Sequence, residues 1–160
     1  SLHFTPELNA SLKNAGIEFA DIVLHVGPGT FLPVRPECGE DIREHQMHGE
    51  LYTIPQATID RIKQTRERGG RVIPVGTTAL RTLETWGRTE ELEGESKLFL
   101  YPGQELQVAD GLITNFHLPG STLMMLVAAI LGVKRTQDIY AEAVQESYRF
   151  FSYGDAMLIL

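Results

Sequence analysis

The stretch DGLITNFHLPGSTLMMLV, Asp110 to Val127, predicts a strand, a polar turn and a helix in direct succession. The apolar strand, Leu112 to Thr114, leads into a turn that contains Asn115 and His117, and a helix begins just after the glycine. Such a turn is where α/β folds bind anions, because the first-turn amides lack helical partners and the helix dipole favours negative charge. We therefore expect a ligand site on this turn.

Strand and helix patterns alternate along the chain, which favours an α/β fold: a three-layer sheet with mainly parallel strands and flanking helices. Residues 1–160 are expected to form a single α/β domain, with an acidic, flexible loop or lid at 87–97. The predicted strands are 17–26, 47–54, 71–75, 98–100, 112–114 and 156–160. The predicted helices begin at Thr5, Pro55, Ala79, Ser121 and Gln137, the last one capped by Thr136.

Composition limits the class of protein. With 160 residues and 42% hydrophobic content, the chain is long enough for one domain with a real core. The single Cys38 cannot form an internal disulfide, which fits a reducing, cytoplasmic location. The longest apolar run, Leu123 to Leu131, is too short to cross a bilayer, and residues 1–9 do not resemble a signal peptide.

The formal net charge of −7 argues against a surface built for non-specific binding of nucleic acid. Such binding would need a local basic patch. The cations that cluster around one predicted helix and the turn after it are Arg61, Lys63, Arg66, Arg68 and Arg71.

Two glycine-containing turns follow predicted strands. Gly27, Gly29 and Thr30 form either a turn whose backbone approaches a ligand closely or an ordinary turn into the next element. His25, just before it, is an acid, a base or a packed core histidine.

The second turn, Gly76-Thr77-Thr78, opens a helix, so its hydroxyls and amides either bind a carboxylate or phosphate or serve as a helix cap. Arg81, one turn later, then faces the anion or forms an ion pair with Glu84.

Two further polar groups allow alternative interpretations. His45, His48 and Glu50 have a spacing that invites a metal site, but a strand is predicted there, so the edge of a polar site is favoured over metal. Near the C-terminus, Asp155 is a general base or an acceptor for a ribose or base, with Tyr153 stacking. Alternatively, this segment is a turn with a left-handed glycine and an aspartate that binds backbone amides.

Five blocks of the chain, in order, resemble the S-adenosylmethionine:tRNA ribosyltransferase-isomerases of queuosine biosynthesis. The blocks are LHFTPEL (2–8), LHVGPGTFLPV (24–34), EHQMHGE (44–50) with VIPVGTTALRTLE (72–84), ITNFHLPGSTLMMLV (113–127) and YRFFSYGDAMLI (148–159). The resemblance implies that the chain is the C-terminal part of a longer two-domain enzyme and lacks that family's β-barrel domain.

The resemblance also implies a reaction. Family members move the ribosyl moiety of S-adenosylmethionine, used as a co-substrate, onto preQ1 at the wobble position of tRNAs with GUN anticodons. The products are epoxyqueuosine in the tRNA, adenine and methionine. No metal, no membrane and a monomeric state are expected. The alternative is a tRNA- or partner-binding α/β fragment without activity of its own.

The matching blocks lead to a hypothesis for the site. Proton transfer is assigned to His117 or His25, with Asp155 as a further catalytic group. The residues expected to bind S-adenosylmethionine or an anionic group of the tRNA are Gly27, Gly29, Thr30, Gly76, Thr77, Thr78, Arg81, Asn115 and Tyr153.

Overall fold

The computed structural model describes residues 3–25, 45 and 47–160. The helices are α1 (Pro6–Asn14), α2 (Gln56–Glu67), α3 (Thr77–Thr89), α4 (Thr122–Leu131) and α5 (Val133–Gln145). The strands are β1 (Val23–His25), β2 (Glu50–Thr53), β3 (Glu93–Ser96), β4 (Leu112–Asn115) and β5 (Ala156–Ile159). Strands β1, β2 and β3 form one sheet in that order, and β4 pairs with β5 in a second.

The prediction of mainly parallel strands is wrong, because every strand pair in the described residues is antiparallel. Two helices, α2 and α3, separate β2 from β3, and two more, α4 and α5, separate β4 from β5. A single crossover helix returns the chain to the end of the sheet where the first strand began, so the next strand runs parallel to the first. Helices α4 and α5 follow each other directly and return the chain to the end of the sheet that it left, so β5 runs opposite to β4.

Several predicted boundaries also change. Segments 71–75 and 98–100 are extended but form no strand ladder, and 87–97 contains the end of α3 and all of β3 instead of a loop. The last helix begins after Gly132, so Thr136 lies inside it and donates its hydroxyl to the Gly132 carbonyl (2.8 Å) instead of capping the helix.

Local signals at two helix starts are confirmed. The Thr5 hydroxyl accepts a hydrogen bond from the Leu8 amide (3.2 Å) at the start of α1. The Ser121 hydroxyl accepts one from the Met124 amide (3.1 Å) at the start of α4. Both bonds satisfy first-turn amides that a helix cannot satisfy itself.

Helix α3 connects the two parts of the core. Its Leu80 packs with the residues around β4 and β5, whereas Leu83 packs with those around β2 and α2. The first cluster contains Leu80, Leu100, Ala109, Leu112, Phe116, Leu126, Val127, Tyr140, Ala143 and Ile159. The second contains Tyr52, Ile54, Ile59, Ile62, Leu83 and Val108. Because one helix contributes to both clusters, its position fixes the two sheets relative to each other.

A fully buried carboxylate on α3 holds the segment that precedes β4. Glu84 (0% exposed) accepts hydrogen bonds from the amides of Gln107 (2.8 Å), Val108 (2.9 Å) and Ala109 (2.9 Å). The Arg88 guanidinium completes the shell at 2.8 Å. A buried charge is tolerated only when it is paired and hydrogen-bonded, and Glu84 meets both conditions.

Replacing this carboxylate tests its structural role. In Glu84→Gln an amide NH2 faces backbone N–H donors, so we expect the free energy of unfolding to fall by about 2 kcal/mol. Urea denaturation measures the loss, and Glu142→Gln, at an exposed position on α5, is the matched control. Equal stability of the two variants would show that Glu84 does not hold the segment.

Candidate functional site

One parallel contact determines where the site lies. Val75 and Ile113 form an isolated parallel bridge, the Gly76 amide donates to the Ile113 carbonyl (2.8 Å), and the Ile113 amide donates to the Pro74 carbonyl (2.9 Å). Segment 71–75 and strand β4 therefore end side by side. Helix α3 begins just beyond the first, and the turn 115–120 just beyond the second. Ligands of α/β proteins bind beyond the carboxyl ends of neighbouring parallel strands, and we call this region the site edge.

The start of α3 offers backbone amides to the site edge. Gly76 has φ +97° and ψ +148°, a conformation that residues with a side chain rarely adopt, and no side chain caps the helix. The predicted threonine cap is therefore wrong. Uncapped first-turn amides at the positive end of the helix dipole suit an anionic group, and Thr77 and Thr78 are the first two residues there.

His117 lies on the turn after β4 as a neutral side chain. Its Nε2 is 2.9 Å from the Thr114 hydroxyl, and its backbone N–H donates to the Tyr140 hydroxyl at 3.1 Å. Burial lowers the pKa of the His117 imidazole to about 4, because the charged form loses solvation. Burial also raises the pKa of Tyr140. At neutral pH the site edge thus contains an uncharged imidazole.

The turn 147–155 packs against this region. Asp155 binds Arg149 through the backbone N–H (2.7 Å) and the guanidinium (3.0 Å), and these hydrogen bonds lower the pKa of the aspartate. The Asn115 side chain donates to the Asp155 carbonyl (3.4 Å). Asp155 therefore binds a backbone amide, as the turn interpretation predicts, and its carboxylate also binds Arg149; its role as a general base or acceptor stays a prediction. Tyr153, on the same turn, is 85% exposed.

The glycine of this turn is needed for close packing rather than for a left-handed conformation. A Cβ on Gly154 would lie 2.3 Å from the Arg149 carbonyl oxygen. The positive φ angles belong instead to Ser147 (60°) and Phe151 (66°). The predicted left-handed glycine is therefore wrong, and an aromatic residue adopts that conformation.

Arg81 is placed in the core. Its guanidinium pairs with Glu50 (3.0 Å) and donates to the carbonyls of Ser96 (3.3 Å) and Leu98 (3.1 Å). The predicted pairing of Arg81 with Glu84 is wrong. Burial lowers the pKa of Arg81, and the Glu50 carboxylate offsets part of that effect. These bonds hold α3 on the three-stranded sheet, so the geometry gives Arg81 a structural role, and contact with a ligand stays a prediction.

His25 lies in the three-stranded sheet, whereas His117 lies on the turn after β4. His25 is exposed at the end of β1, opposite Leu51 of β2, so it is not a packed core histidine. The turn residues predicted after it lie outside the described residues: Gly27, Gly29 and Thr30. Their roles stay predictions.

The three polar residues of the histidine-rich segment before β2 have different surroundings. The His45 ring lies 5.1 Å from the Phe99 ring, His48 is exposed, and Glu50 pairs with Arg81. Among residues 3–25, 45 and 47–160, no three His, Cys, Asp or Glu side chains are grouped so that they could hold a metal ion. No helix in the same ranges is long and apolar enough to cross a membrane.

The basic cluster on and after α2 is largely used within the protein. Arg61 and Arg66 donate to backbone carbonyls of other segments, and Arg68 forms an ion pair with Glu18 (2.7 Å). These contacts attach neighbouring segments to α2. Most arginine side chains of the predicted basic patch therefore form hydrogen bonds or ion pairs within the protein.

A groove elsewhere on the described part of the chain is mainly apolar. This groove of about 490 Å³ lies between α1, α2 and segment 71–75, with Leu12, Ile22, Ile62 and Val72 in its walls. Polar ligands bind where convergent polar groups fix their orientation. At the site edge the turn with His117 and the uncapped start of α3 follow segments that end side by side, so we assign the ligand site to that edge.

Sequence reasoning missed three residues near His117. Thr114 contacts its ring, Tyr140 accepts its backbone N–H, and Phe151 donates its backbone N–H to the carbonyl of Phe116 (3.1 Å). Of these contacts, only that of Thr114 could be inferred from sequence, because Thr114 precedes His117 by three residues across a turn. The other two contacts join residues that are distant in the chain.

Burial of His117 gives a testable pH dependence. Its folded-state pKa of about 4 lies below the ordinary value of 6.5, so the folded protein binds fewer protons than the unfolded chain in that window. The stability that the neutral His117 contributes is fully present above pH 6.5. The free energy of unfolding falls by up to about 1 kcal/mol per pH unit as the pH is lowered from 6.5 to about 4. Urea denaturation of the protein and of His117→Gln measures this. Identical slopes in both would contradict the burial effect.

Comparison with known proteins assigns the family. The family model described as "Queuosine biosynthesis protein" matches residues 1–159. A relative named S-adenosylmethionine:tRNA ribosyltransferase-isomerase from Thermotoga maritima is 54% identical over 99% of this chain and 48% of its own length. Relatives with the same name from Nostoc sp. (53%, 99% and 40%) and Francisella tularensis subsp. novicida (50%, 99% and 47%) are similarly close.

A solved structure agrees with the sequence match. The crystal structure of S-adenosylmethionine tRNA ribosyltransferase from Thermotoga maritima superposes with a TM-score of 0.81 at 49% identity. The match covers 99% of this chain and 50% of that one. This chain spans about half the length of the curated relatives it matches. The chain belongs to the queuosine biosynthesis protein family.

Proposed function

We propose that the complete gene product containing this chain is an S-adenosylmethionine-dependent tRNA ribosyltransferase-isomerase. It moves the ribosyl moiety of S-adenosylmethionine onto preQ1 at the tRNA wobble position, and releases adenine and methionine. The names of relatives that are 50 to 54% identical over 99% of this chain support this proposal. The observation that carries it is the parallel contact of Val75 with Ile113, because the uncapped helix α3 follows one segment and the turn with the neutral His117 follows the other.

His117 is assigned to proton transfer in this reaction. Its imidazole is uncharged at neutral pH, so it can accept a proton without first losing one. Its low pKa makes the imidazolium, once formed, a strong donor. In this assignment His117 takes the proton that the ribose C5′ next to the sulfonium loses and passes it to the departing adenine, so the proton is conserved between the two steps.

The remaining residues of the site edge bind and orient. The amides at Thr77 and Thr78 suit the methionine carboxylate of the co-substrate, because that group carries a full negative charge. Asn115 and Tyr153 are assigned to the ribose or the deazaguanine base. Asp155 acts as a positioning residue, since its carboxylate holds Arg149 and its carbonyl holds Asn115.

A second candidate function is binding of tRNA or a partner without activity. The observation that favours it for the 160 residues alone is coverage, because they span 48% of the first relative and 50% of the solved chain. Catalytic groups can therefore lie in sequence that this chain does not contain. The two functions differ in whether adenine is released.

Adenine release by the complete gene product tests the proposal. It is incubated with S-adenosylmethionine, with and without tRNA that carries preQ1, and adenine is quantified by chromatography. We expect release that depends on the modified tRNA. Replacing His117 by Ala should slow release by about 100-fold or more without weakening substrate binding.

His48→Ala, at an exposed histidine outside the site edge, is the matched control and should retain full turnover. A folded protein that binds both substrates and releases no adenine would refute the transferase function and favour the binding function. Full turnover in His117→Ala would remove His117 from the mechanism.

A further inference from the structure

We propose that Tyr148, Phe151 and Tyr153, which we call the aromatic turn, stack against an unpaired base of an RNA loop beside the site edge. This inference rests on the proposed function, because it names the surface through which the RNA substrate is held. Neither the match to the family nor the names of the relatives assign a role to these residues.

The rings of the aromatic turn face solvent. Tyr148 is 48% exposed, Phe151 61% and Tyr153 85%. The ring between them in sequence, Phe150, is instead packed against Phe116, with the two centroids 5.5 Å apart. Scattered apolar residues on a surface are normal, but three exposed rings within six positions of a single turn are a concentration that favours a binding site.

The backbone holds the aromatic turn in an unfavourable conformation. Phe151 has a φ of +66°, and residues with a branched or bulky side chain rarely adopt that region. The conformation is fixed by the bond from the Phe151 amide to the Phe116 carbonyl (3.1 Å) and by that from the Gly154 amide to the Phe151 carbonyl (3.0 Å). Strain maintained by surrounding bonds is typical of binding sites, and a fixed surface loses little freedom when it binds.

The aromatic turn adjoins the proposed reaction centre. Tyr148 lies edge-on to Phe116, with ring centroids 5.4 Å apart, and Phe116 directly precedes His117. The Asn115 side chain reaches the Asp155 carbonyl. Through Tyr148 and Asn115 the aromatic turn thus contacts the segment that carries the imidazole assigned to proton transfer.

The chemistry of the patch favours an unpaired nucleobase. The chain carries a net charge of −7, so binding driven mainly by phosphate contacts is disfavoured. Stacking on aromatic rings and arginine planes requires no excess of positive charge, and it is how single-stranded RNA is commonly recognised. Arg149 supplies such a plane, because its side chain is 74% exposed while Asp155 fixes the guanidinium.

The variant Phe151→Gly tests the role of the ring without disturbing the backbone conformation. Glycine adopts a φ of +66° without strain, so the variant loses the ring and should keep or raise the melting temperature. The probe is an anticodon stem-loop RNA with 2-aminopurine in the loop, titrated into the complete gene product without S-adenosylmethionine. We expect fluorescence quenching with the unchanged protein, and about tenfold weaker binding in Phe151→Gly.

Two further variants and a second RNA complete the test. Phe151→Trp should restore binding, and Val133→Ala, which trims an exposed residue at the far end of α5, should leave it unchanged. A fully paired RNA duplex should bind equally to all variants. The proposal is overturned if the stem-loop does not bind, if Phe151→Gly binds it normally, or if duplex binding falls in parallel.

The competing explanation is that another part of the protein covers the aromatic turn. If Tyr153 resists nitration in the complete gene product without RNA, the rings are an internal contact and the proposal fails. The binding assay contains no co-substrate, so its result does not depend on turnover. Loss of adenine release with intact stem-loop binding would refute the proposed reaction and leave the aromatic turn supported.

Discussion

The structure depends on one short parallel contact between two segments that are distant in the chain. Val75 and Ile113 form the bridge, and the Gly76 amide donates to the Ile113 carbonyl. This contact places the first turn of α3 beside the turn after β4, although the two turns are far apart in the sequence. The uncapped helix start and the turn with His117 follow the same edge only because these two segments end together.

The other strong interactions keep that contact in place. Glu84 fixes the segment before β4 onto α3, and Arg81 fixes α3 onto the three-stranded sheet through Glu50. Both charged groups are buried, so each would destabilise the protein without its partners. The same burial acts on His117, where it keeps the imidazole uncharged. Stability and chemistry thus share one cause, the exclusion of water around α3 and β4.

Local features were predictable from sequence, and long-range pairings were not. The cap at Thr5 and the helix start at Ser121 depend on residues within one helical turn, so the sequence alone was enough to predict them. The partner of Arg81 was misassigned, because Glu50 lies 31 positions away and Glu84 has the local spacing. The predicted strand direction was wrong, because partners such as β2 and β3 are about 40 positions apart and the alternation of strand and helix does not reveal which strands pair. The turn with His117 was located correctly, since the strand, the turn and the cap are contiguous.

The most direct test of the site edge is an amide chemical-shift map of the complete gene product titrated with S-adenosylmethionine. The account predicts the largest shifts at Gly76, Thr77, Asn115 and His117, because these amides belong to the two turns that the parallel contact brings together. Shifts confined to the apolar groove that Leu12 and Ile62 line would contradict the account, since they would place the co-substrate away from the neutral imidazole.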